Sequence, residues 1–418
     1  MRVLMLTQWF QPESFFKGLP FAVELQRRGH EVEVLTGFPN YPGGKVHEGY
    51  SIKPWQREEL EGVRINRVAL YPNHSNSGLL RIVNYLSFSL MTLLVGPWLL
   101  HKKPDVIYIY NLVTLSRTAA LLRRLYGCKI VYDIQDLWPE SVISSGMLSH
   151  SGLFRTFLEK WCLSAYKRAD FLIVQSPGFK DNLCKRGIAE EKTKVIYNWS
   201  QEETVRSTRE ECTDAKIMRL EWEKTFNVVF AGTMGIMQNL ETVLDCAQLM
   251  QEERQVRLVL IGDGIRKEYL QNKSNKMGLQ NVAFMPRQPM NSMEKVYTCA
   301  DALLVHLKKD PLFKVTIPSK IQAYLAAGKP IVMAVEGDAA DVIRRAGAGY
   351  TCEPENAQEM ADCIRKLVKL SPEERNRLGE NGKKFYIDEM SFSRGVHEFE
   401  GIFKSVLNGT PKNKRLSG

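Results

Sequence analysis

The chain has 418 residues, 44% of them hydrophobic and 25% charged, with 29 Gly and 18 Pro. That composition excludes a disordered or collagenous chain, and the length suffices for two or three domains with their own cores. The net charge of +10 is lopsided, because residues 1–200 carry 25 Lys and Arg against 17 Asp and Glu, a net +8; this suits phosphorylated ligands or an anionic membrane, and no basic block, finger spacing or RNP motif supports nucleic acid.

Met1–Thr7 has only a four-residue apolar run and no small-residue cleavage site, so it reads as a buried strand and not as a signal peptide. Further strand-like runs follow at 31–35, 63–68, 106–110, 130–133, 171–175 and 194–197, with helix-like stretches at 21–28, 115–126 and 153–169 between them. Such alternation predicts a parallel sheet covered by helices on both faces. Arg27-Arg-Gly-His30 reads as a helix end with a Gly stop, and His30 as structural. Thr36–Gly44 is a rigid loop rich in Gly, Pro and aromatic residues, of a kind that suits sugar or lipid-phosphate contacts or is plain loop chemistry.

From Ile82 to Leu100 no residue is charged and most are apolar, with Arg81 before and His101-Lys-Lys103 after. The run is at the threshold for a membrane span, and Asn84, Ser87, Ser89, Thr92, Gly96 and Pro97 dilute it. A span would split the first sheet and is rejected. A buried helix and a helix sunk in the membrane interface remain, and Trp98 with the Lys pair are interface-type flanks.

Asp133-Ile-Gln135-Asp136 and Glu140 gather carboxylates and a Gln just past a strand, as site residues or as a solvated turn. The alternation lapses over the polar residues 200–224 and restarts at Phe226, with strand-like runs at 256–261, 282–285, 302–305 and 331–335. The chain therefore reads as two doubly wound domains joined near residue 200. The eight Cys (128, 162, 184, 212, 246, 299, 352 and 363) form no C-x-x-C and no zinc spacing with His. A disulfide scaffold is excluded, a structural zinc is not expected, and the scatter suits a reducing cytoplasm.

Three motifs of the second half sit at strand C-terminal ends, where open parallel sheets bind ligands. Gly232-Thr-Met-Gly235 links a strand to a helix and brings backbone amides close to an anion, or is simply a tight turn. Its G-x-x-G spacing lacks the dinucleotide fingerprint. Gly262-Asp263-Gly264 and Pro286-Arg287 are similar turns. The fourth motif runs from Pro311 through Lys314, Thr316, Pro318, Ser319 and Lys320 to Gly328-Lys-Pro330. Pro318 is expected at the first helical position, with the amides of Ser319 and Lys320 and the charges of Lys320 and Lys314 able to hold a diphosphate; a structural cap is the alternative.

The ordered set Arg28-Gly-His-Glu-Val, Thr36-Gly-Phe-Pro-Asn-Tyr-Pro, Asp133-Ile-Gln-Asp-Leu-Trp-Pro-Glu, Val195-Ile-Tyr-Asn-Trp-Ser, the Gly232 loop with Gln238, Gly262-Asp-Gly and Pro318-Ser-Lys…Ala-Ala-Gly-Lys-Pro resembles the retaining GT-B glycosyltransferases of family 4. It is most similar to the bacterial O-antigen and capsule subgroup typified by the L-fucosamine and colanic-acid transferases. The resemblance implies an α/β GT-B fold of two doubly wound Rossmann-like domains facing a cleft, over residues 1–200 and 201–387. A helix near 388–410 would pack back on the first domain, and 411–418 would be a disordered tail. It implies a nucleotide-sugar, UDP-linked, bound by Gly232, Thr233, Gly235, Gln238, Gly262, Asp263, Gly264, Pro286, Arg287, Lys314, Thr316, Pro318, Ser319 and Tyr324. The acceptor, a polyprenyl-diphosphate-linked saccharide, would meet Lys17, Gly18, Asn40 and Tyr41. Asp136, Gln135 and Lys320 would carry catalysis, without cofactor or metal.

Three departures from the family pattern stand out. Thr233 and Gln238 occupy places where many members carry Arg and Lys, Ala323 and a residue near Val315 replace a Glu pair, and Gln135 replaces a His. Lys320 is the expected substitute cation, since stabilising developing charge is usually the largest catalytic term. The expected activity is transfer of a hexose or N-acetylhexosamine in surface-polysaccharide synthesis. The expected place is the inner face of the cell membrane, with the 79–101 helix on its anionic surface. A nucleotide-sugar 2-epimerase and a silent scaffold of a polysaccharide assembly complex are the alternatives.

Overall fold

The computed structural model describes residues 1–13, 15–75, 77–144, 152–200, 224–289 and 292–409. The expected tail at 411–418 lies outside them. Two compact units result: Met1–Ile196 with Gly395–Gly418, and Tyr197–Arg394.

The first unit runs β1 (Arg2–Leu6), α1 (Leu19–Arg27), β2 (Glu31–Gly37), β3 (Trp55–Leu60), β4 (Val63–Val68), α2 (Gly78–Leu99), β5 (Val106–Tyr110), α3 (Ser116–Tyr126), β6 (Lys129–Ile134), α4 (Glu140–Ser144), α5 (Leu153–Arg168), β7 (Phe171–Val174), α6 (Pro177–Lys185) and β8 (Thr193–Val195). The sheet order is β3-β4-β2-β1-β5-β6-β7-β8, parallel throughout except for β3 against β4. Apolar side chains on both faces of β5 (Val-Ile-Tyr-Ile-Tyr) leave all five residues buried, as a strand covered by helices on both sides requires. β3 is absent from the sequence reading. Its residues Trp-Gln-Arg-Glu-Glu-Leu carry no buried position, because it is an edge strand. The signal for it was the Glu61-Gly62 pair, whose left-handed φ values of 49° and 79° close a two-residue hairpin onto β4.

The second unit runs β9 (Phe226–Ala231), α7 (Glu241–Leu249), β10 (Val256–Ile261), α8 (Lys267–Lys276), β11 (Val282–Met285), α9 (Met293–Cys299), β12 (Ala302–His306), α10 (Pro311–Lys314), α11 (Lys320–Ala326), β13 (Ile331–Ala334), α12 (Asp338–Ala346), β14 (Gly349–Thr351), α13 (Ala357–Lys369) and α14 (Pro372–Phe385). All its strands pair parallel, in the order β11-β10-β9-β12-β13-β14. Phe230, Leu244, Leu260 and Ile364 lie in its core, packed from strands and helices alike. α11 begins at Lys320, so Pro318 is two residues ahead of the helix and not at its first position; the Pro318 carbonyl accepts the Ile321 amide across that entry turn.

The last helix, α15 (Phe392–Leu407), belongs to the first unit from Gly395 onward. Phe399 stands edge-on to Phe21 and Tyr108. Glu400 bonds His30 at 2.9 Å, Arg28 at 3.3 Å and Lys404 at 2.6 Å. Lys404 above all, then His30 and Arg28, hold its carboxyl down to about 2. His30 is thus a structural tie between α1 and α15.

Candidate active site

In each sheet, neighbouring strands leave in opposite directions at one point: between β1 and β5 in the first unit, and between β9 and β12 in the second. Crossovers diverge there and leave a crevice at the strand C-termini, where doubly wound sheets take ligands.

In the second unit that point is built from glycines. Gly232 follows β9 at φ 148°, and Gly262 follows β10 at φ 148°, both in the region that favours glycine. A Cβ on Gly262 would lie 1.9 Å from the Gly232 carbonyl oxygen, and one on Gly264 would lie 2.4 Å from that of Met234. The two turns therefore pack backbone to backbone, joined by Gly232 N–H to Ile261 O at 2.9 Å and Met234 N–H to Asp263 O at 2.8 Å. Gln238 folds back so that its Oε1 accepts the Gly235 amide at 3.1 Å. His306, at the end of β12, is buried and its pKa is lowered by that burial. Its Nδ1 lies 2.7 Å from the Gln238 carbonyl, and its Nε2 takes the Glu355 amide at 3.1 Å. Those partners fix the neutral tautomer with the proton on Nδ1, so His306 is a brace for the loop.

Lys320 is the chemically distinctive group here. Its Nζ is shielded from solvent and, among the described residues, has no hydrogen-bond partner. It lies 3.7 Å from the centre of the Phe230 ring and would be 3.0 Å from a Cβ on Gly232. Burial pushes its pKa down to about 7. A desolvated cation with no anion among the described residues, beside a bare glycine turn, has the chemistry to hold an anionic ligand. α11 has seven residues, so the ammonium outweighs any helix dipole. Lys314, the other expected cation, is engaged elsewhere: it pairs with Glu336 at 2.9 Å and, with Lys309, lowers that carboxyl. Among the described residues no group of three or more His, Cys, Asp or Glu is placed to hold a metal ion.

In the first unit, β5 is followed by Asn111, which is left-handed at φ 64°. Its Nδ2 donates to Asp136 Oδ2 at 2.8 Å, and its Oδ1 accepts the Asp136 amide at 3.1 Å. This reciprocal pair holds an exposed carboxylate at the sheet's switch point. Beneath it Asp133 is fully buried, with Lys17 Nζ at 3.1 Å, Tyr108 Oη at 2.6 Å and Gln135 Nε2 at 2.5 Å. The Thr36–Gly44 loop is pinned by Glu13, whose Oε1 accepts the amides of Asn40 at 2.8 Å and Tyr41 at 2.7 Å. Burial raises the Glu13 carboxyl above its ordinary value despite those bonds.

Residues 19–199 match the model of the Glycosyl transferase 4-like domain, and residues 214–385 that of Glycosyl transferases group 1. The chain is a glycosyltransferase of the GT-B fold. The paired domain matches support the family-4 resemblance. Among curated relatives, the putative colanic acid biosynthesis glycosyl transferase WcaI of Escherichia coli is 26% identical over 355 residues, 83% of this chain and 86% of that one. The probable glycosyltransferase WbjE of Pseudomonas aeruginosa is 27% identical over 62% of this chain and 65% of its own length. Among solved structures, Anabaena Alr3699/HepE in complex with UDP superposes with a TM-score of 0.67 at 15% identity, over 97% of this chain and all of that one. The UDP-forming alpha,alpha-trehalose-phosphate synthase of Burkholderia vietnamiensis gives 0.71 at 14%, over 97% of each.

Set against this geometry, the residues expected from the sequence sort into contact surfaces and supports. Gly232, Thr233, Gly235, Asp263 and Gly264 share one loop pair with Lys320 beside it, and Pro286, Arg287 and Ser319 are exposed on neighbouring turns of the enzyme. Tyr324 is a correction. It is fully buried, and its hydroxyl accepts from the Ala231 amide at 2.9 Å and donates to the Ala231 carbonyl at 3.3 Å, so it fixes the end of β9 and does not reach a donor. Gly262 is buried as the packing partner of Gly232. The Thr316 hydroxyl donates to the Leu312 carbonyl at 2.8 Å. Lys17, Gly18 and Asn40 are corrected as well. Lys17 is 2% exposed and paired with Asp133, Gly18 is buried at the start of α1, and Asn40 is fully buried, with its Oδ1 accepting from Asn84 at 3.3 Å. A group behind the surface cannot touch an acceptor; of that set only Tyr41 is exposed. Gln135 commits its amide to Asp133, which leaves Asp136 as the open carboxylate. Asn111, Glu13 and Glu336 were not foreseen. Asn111 and Glu336 stand just past strands, which was the available signal, whereas Glu13 lies further into the loop after β1.

Proposed function

We propose that the enzyme moves a hexose or N-acetylhexosamine from a UDP-sugar, with retention, to a polyprenyl-diphosphate-linked saccharide during bacterial surface-polysaccharide synthesis on the cytoplasmic face of the membrane. The observation that carries the donor half is Lys320. A diphosphate laid along the Gly232 loop supplies the anion that this ammonium lacks. The bond between the anomeric carbon and the diphosphate oxygen breaks with its electron pair on that oxygen. Negative charge then grows where Lys320 stands, and one such donor contributes about 10²–10³ in rate. The acceptor hydroxyl oxygen bonds the anomeric carbon on the same face, and its proton leaves with the departing UDP. The role in surface-polysaccharide synthesis is supported by the name of the colanic-acid relative, and the choice of UDP by the HepE complex.

The test is calorimetric titration of the enzyme with UDP, GDP and ADP, followed by product analysis with UDP-sugars and polyprenyl-linked acceptors. UDP binding in preference to the others, and UDP release that needs acceptor, is the expected result. Failure to bind any nucleoside diphosphate refutes the donor reading. UDP-sugar conversion without acceptor refutes the transfer to lipid.

A further inference from the structure

α2 is built inside out. Its buried residues are Asn84, Phe88, Thr92, Gly96 and Leu99. The polar ones among them bond inward. Asn84 joins Gln8 at 2.5 Å and the Tyr71 carbonyl at 2.6 Å, and the Thr92 hydroxyl meets that of Thr118 at 2.9 Å. Gly96 lets the helix close on Leu35, since a Cβ there would come within 2.9 Å of it. At 100° per residue the opposite face carries Leu79, Val83, Leu86, Leu90, Leu94 and Trp98, and all six are exposed, Leu79 at 71% and Trp98 at 82%. Water selects the reverse arrangement, and a contiguous apolar stripe of this length marks an interaction surface. Arg81 is the one charged residue in the helix, and His101, Lys102 and Lys103 follow its end.

Beside the stripe opens a groove of about 590 Å³ between α3 and α5, with Leu93 of α2 in its wall. Phe157 and Trp161 line it, and Arg117, Lys160 and Arg168 give it charge. Among the described residues none of these three cations has a carboxylate within ion-pair distance. An apolar ridge next to an apolar-floored, positively charged groove fits the boundary between acyl chains and lipid phosphates. A span is excluded, because the inner face of α2 is bonded into the first unit.

We propose that α2 is an interfacial helix lying in the plane of an anionic bilayer, with its 79–98 stripe among the acyl chains and the Arg117–Lys160–Arg168 groove on a lipid phosphate. This goes beyond the donor site and stands without it. The test is flotation of the full chain with vesicles of phosphatidylcholine alone or mixed with phosphatidylglycerol, at low and high salt. Wild type should float with the mixed vesicles and be released by salt. Leu90→Glu/Leu94→Glu, whose side chains already face solvent, should lower binding at least about tenfold while UDP affinity stays at the wild-type value. Arg117→Gln/Arg168→Gln should weaken binding to mixed vesicles about fivefold per residue and leave the pure phosphatidylcholine value unchanged. Leu249→Glu, an exposed leucine of the second unit, is the control and should bind as wild type. Vesicle binding that survives the double Leu substitution overturns the proposal. So does a wild-type chain that ignores mixed vesicles, or one that forms a dimer through this face, seen by sedimentation as a dimer lost in the Leu variant.

Discussion

Lys320→Met keeps the unbranched apolar stem of the Lys320 side chain and removes its terminal ammonium. The drop from the ordinary lysine value of 10.5 to about 7 means that keeping the empty site charged costs about 4–5 kcal/mol. Between those two pH values the unfolded chain holds the proton and the folded chain does not. Stability therefore rises with pH across that window, and below pH 7 the whole penalty is present. Methionine removes the penalty, so at pH 7 the variant should unfold about 1–4 kcal/mol less readily than wild type. The donor shows the opposite sign. A bound diphosphate neutralises the ammonium and raises its pKa, so binding at pH 8, where UDP is fully ionised, should draw in about 0.9 proton. UDP affinity should fall nearly tenfold per pH unit above 7 until the bound-state pKa is passed. Calorimetry of UDP binding in two buffers of different ionisation enthalpy measures that proton directly. In Lys320→Met the uptake vanishes, the pH dependence flattens, the affinity drops, and turnover falls about 10²–10³-fold. Wild-type binding without proton uptake, together with Lys320→Met affinity within threefold of wild type, would refute the assignment of Lys320 to the diphosphate.

Gly232→Val places a branched side chain at φ 148° and against the Lys320 ammonium; it should abolish UDP binding by calorimetry while far-UV dichroism shows a folded chain. Lys17→Met strands a buried Asp133 carboxylate without its cation, so denaturant titration should show a loss of about 3–5 kcal/mol; adding Asp133→Asn should recover part of it, which a direct acceptor contact would not do. Asp136→Asn leaves an exposed residue in place, so stability and UDP affinity should stay at wild-type values while steady-state turnover with acceptor falls; unchanged turnover would remove Asp136 from the reaction.

The architecture was legible because buried parallel strands are short, apolar and separated by amphipathic helices. Phe226–Ala231, Val256–Ile261 and Ile331–Ala334 show that rhythm without any help from chemistry. β3 escaped because an edge strand needs no apolar face, so the Glu61-Gly62 turn was its main signature. The site was legible only as a neighbourhood. Sequence places Lys17 beside Gly18 and Tyr324 within the motif that runs from Pro318 to Pro330, but it does not say whether a long polar side chain points out toward a ligand or in toward a buried partner. Lys17 turned in because Asp133 and the Tyr110 and Phe399 rings offer its ammonium a place. Tyr324 turned in because the end of β9 needs one hydroxyl to both donate and accept.

Lys314 and Lys320 make the same point from the other side. Six residues apart, both carry a charge that the sequence offers to a diphosphate, with Lys320 the expected substitute cation. Glu336, just past β13, takes Lys314, and the packing of Phe230 under Gly232 leaves Lys320 desolvated with no anion among the described residues to neutralise it. A protein gains no stability from an uncompensated buried ammonium; it loses several kcal/mol. Such a group persists where its compensation arrives with the ligand, and that energetic debt in the empty site is what turns a glycine turn, otherwise common at the end of any parallel strand, into a site for an anionic leaving group.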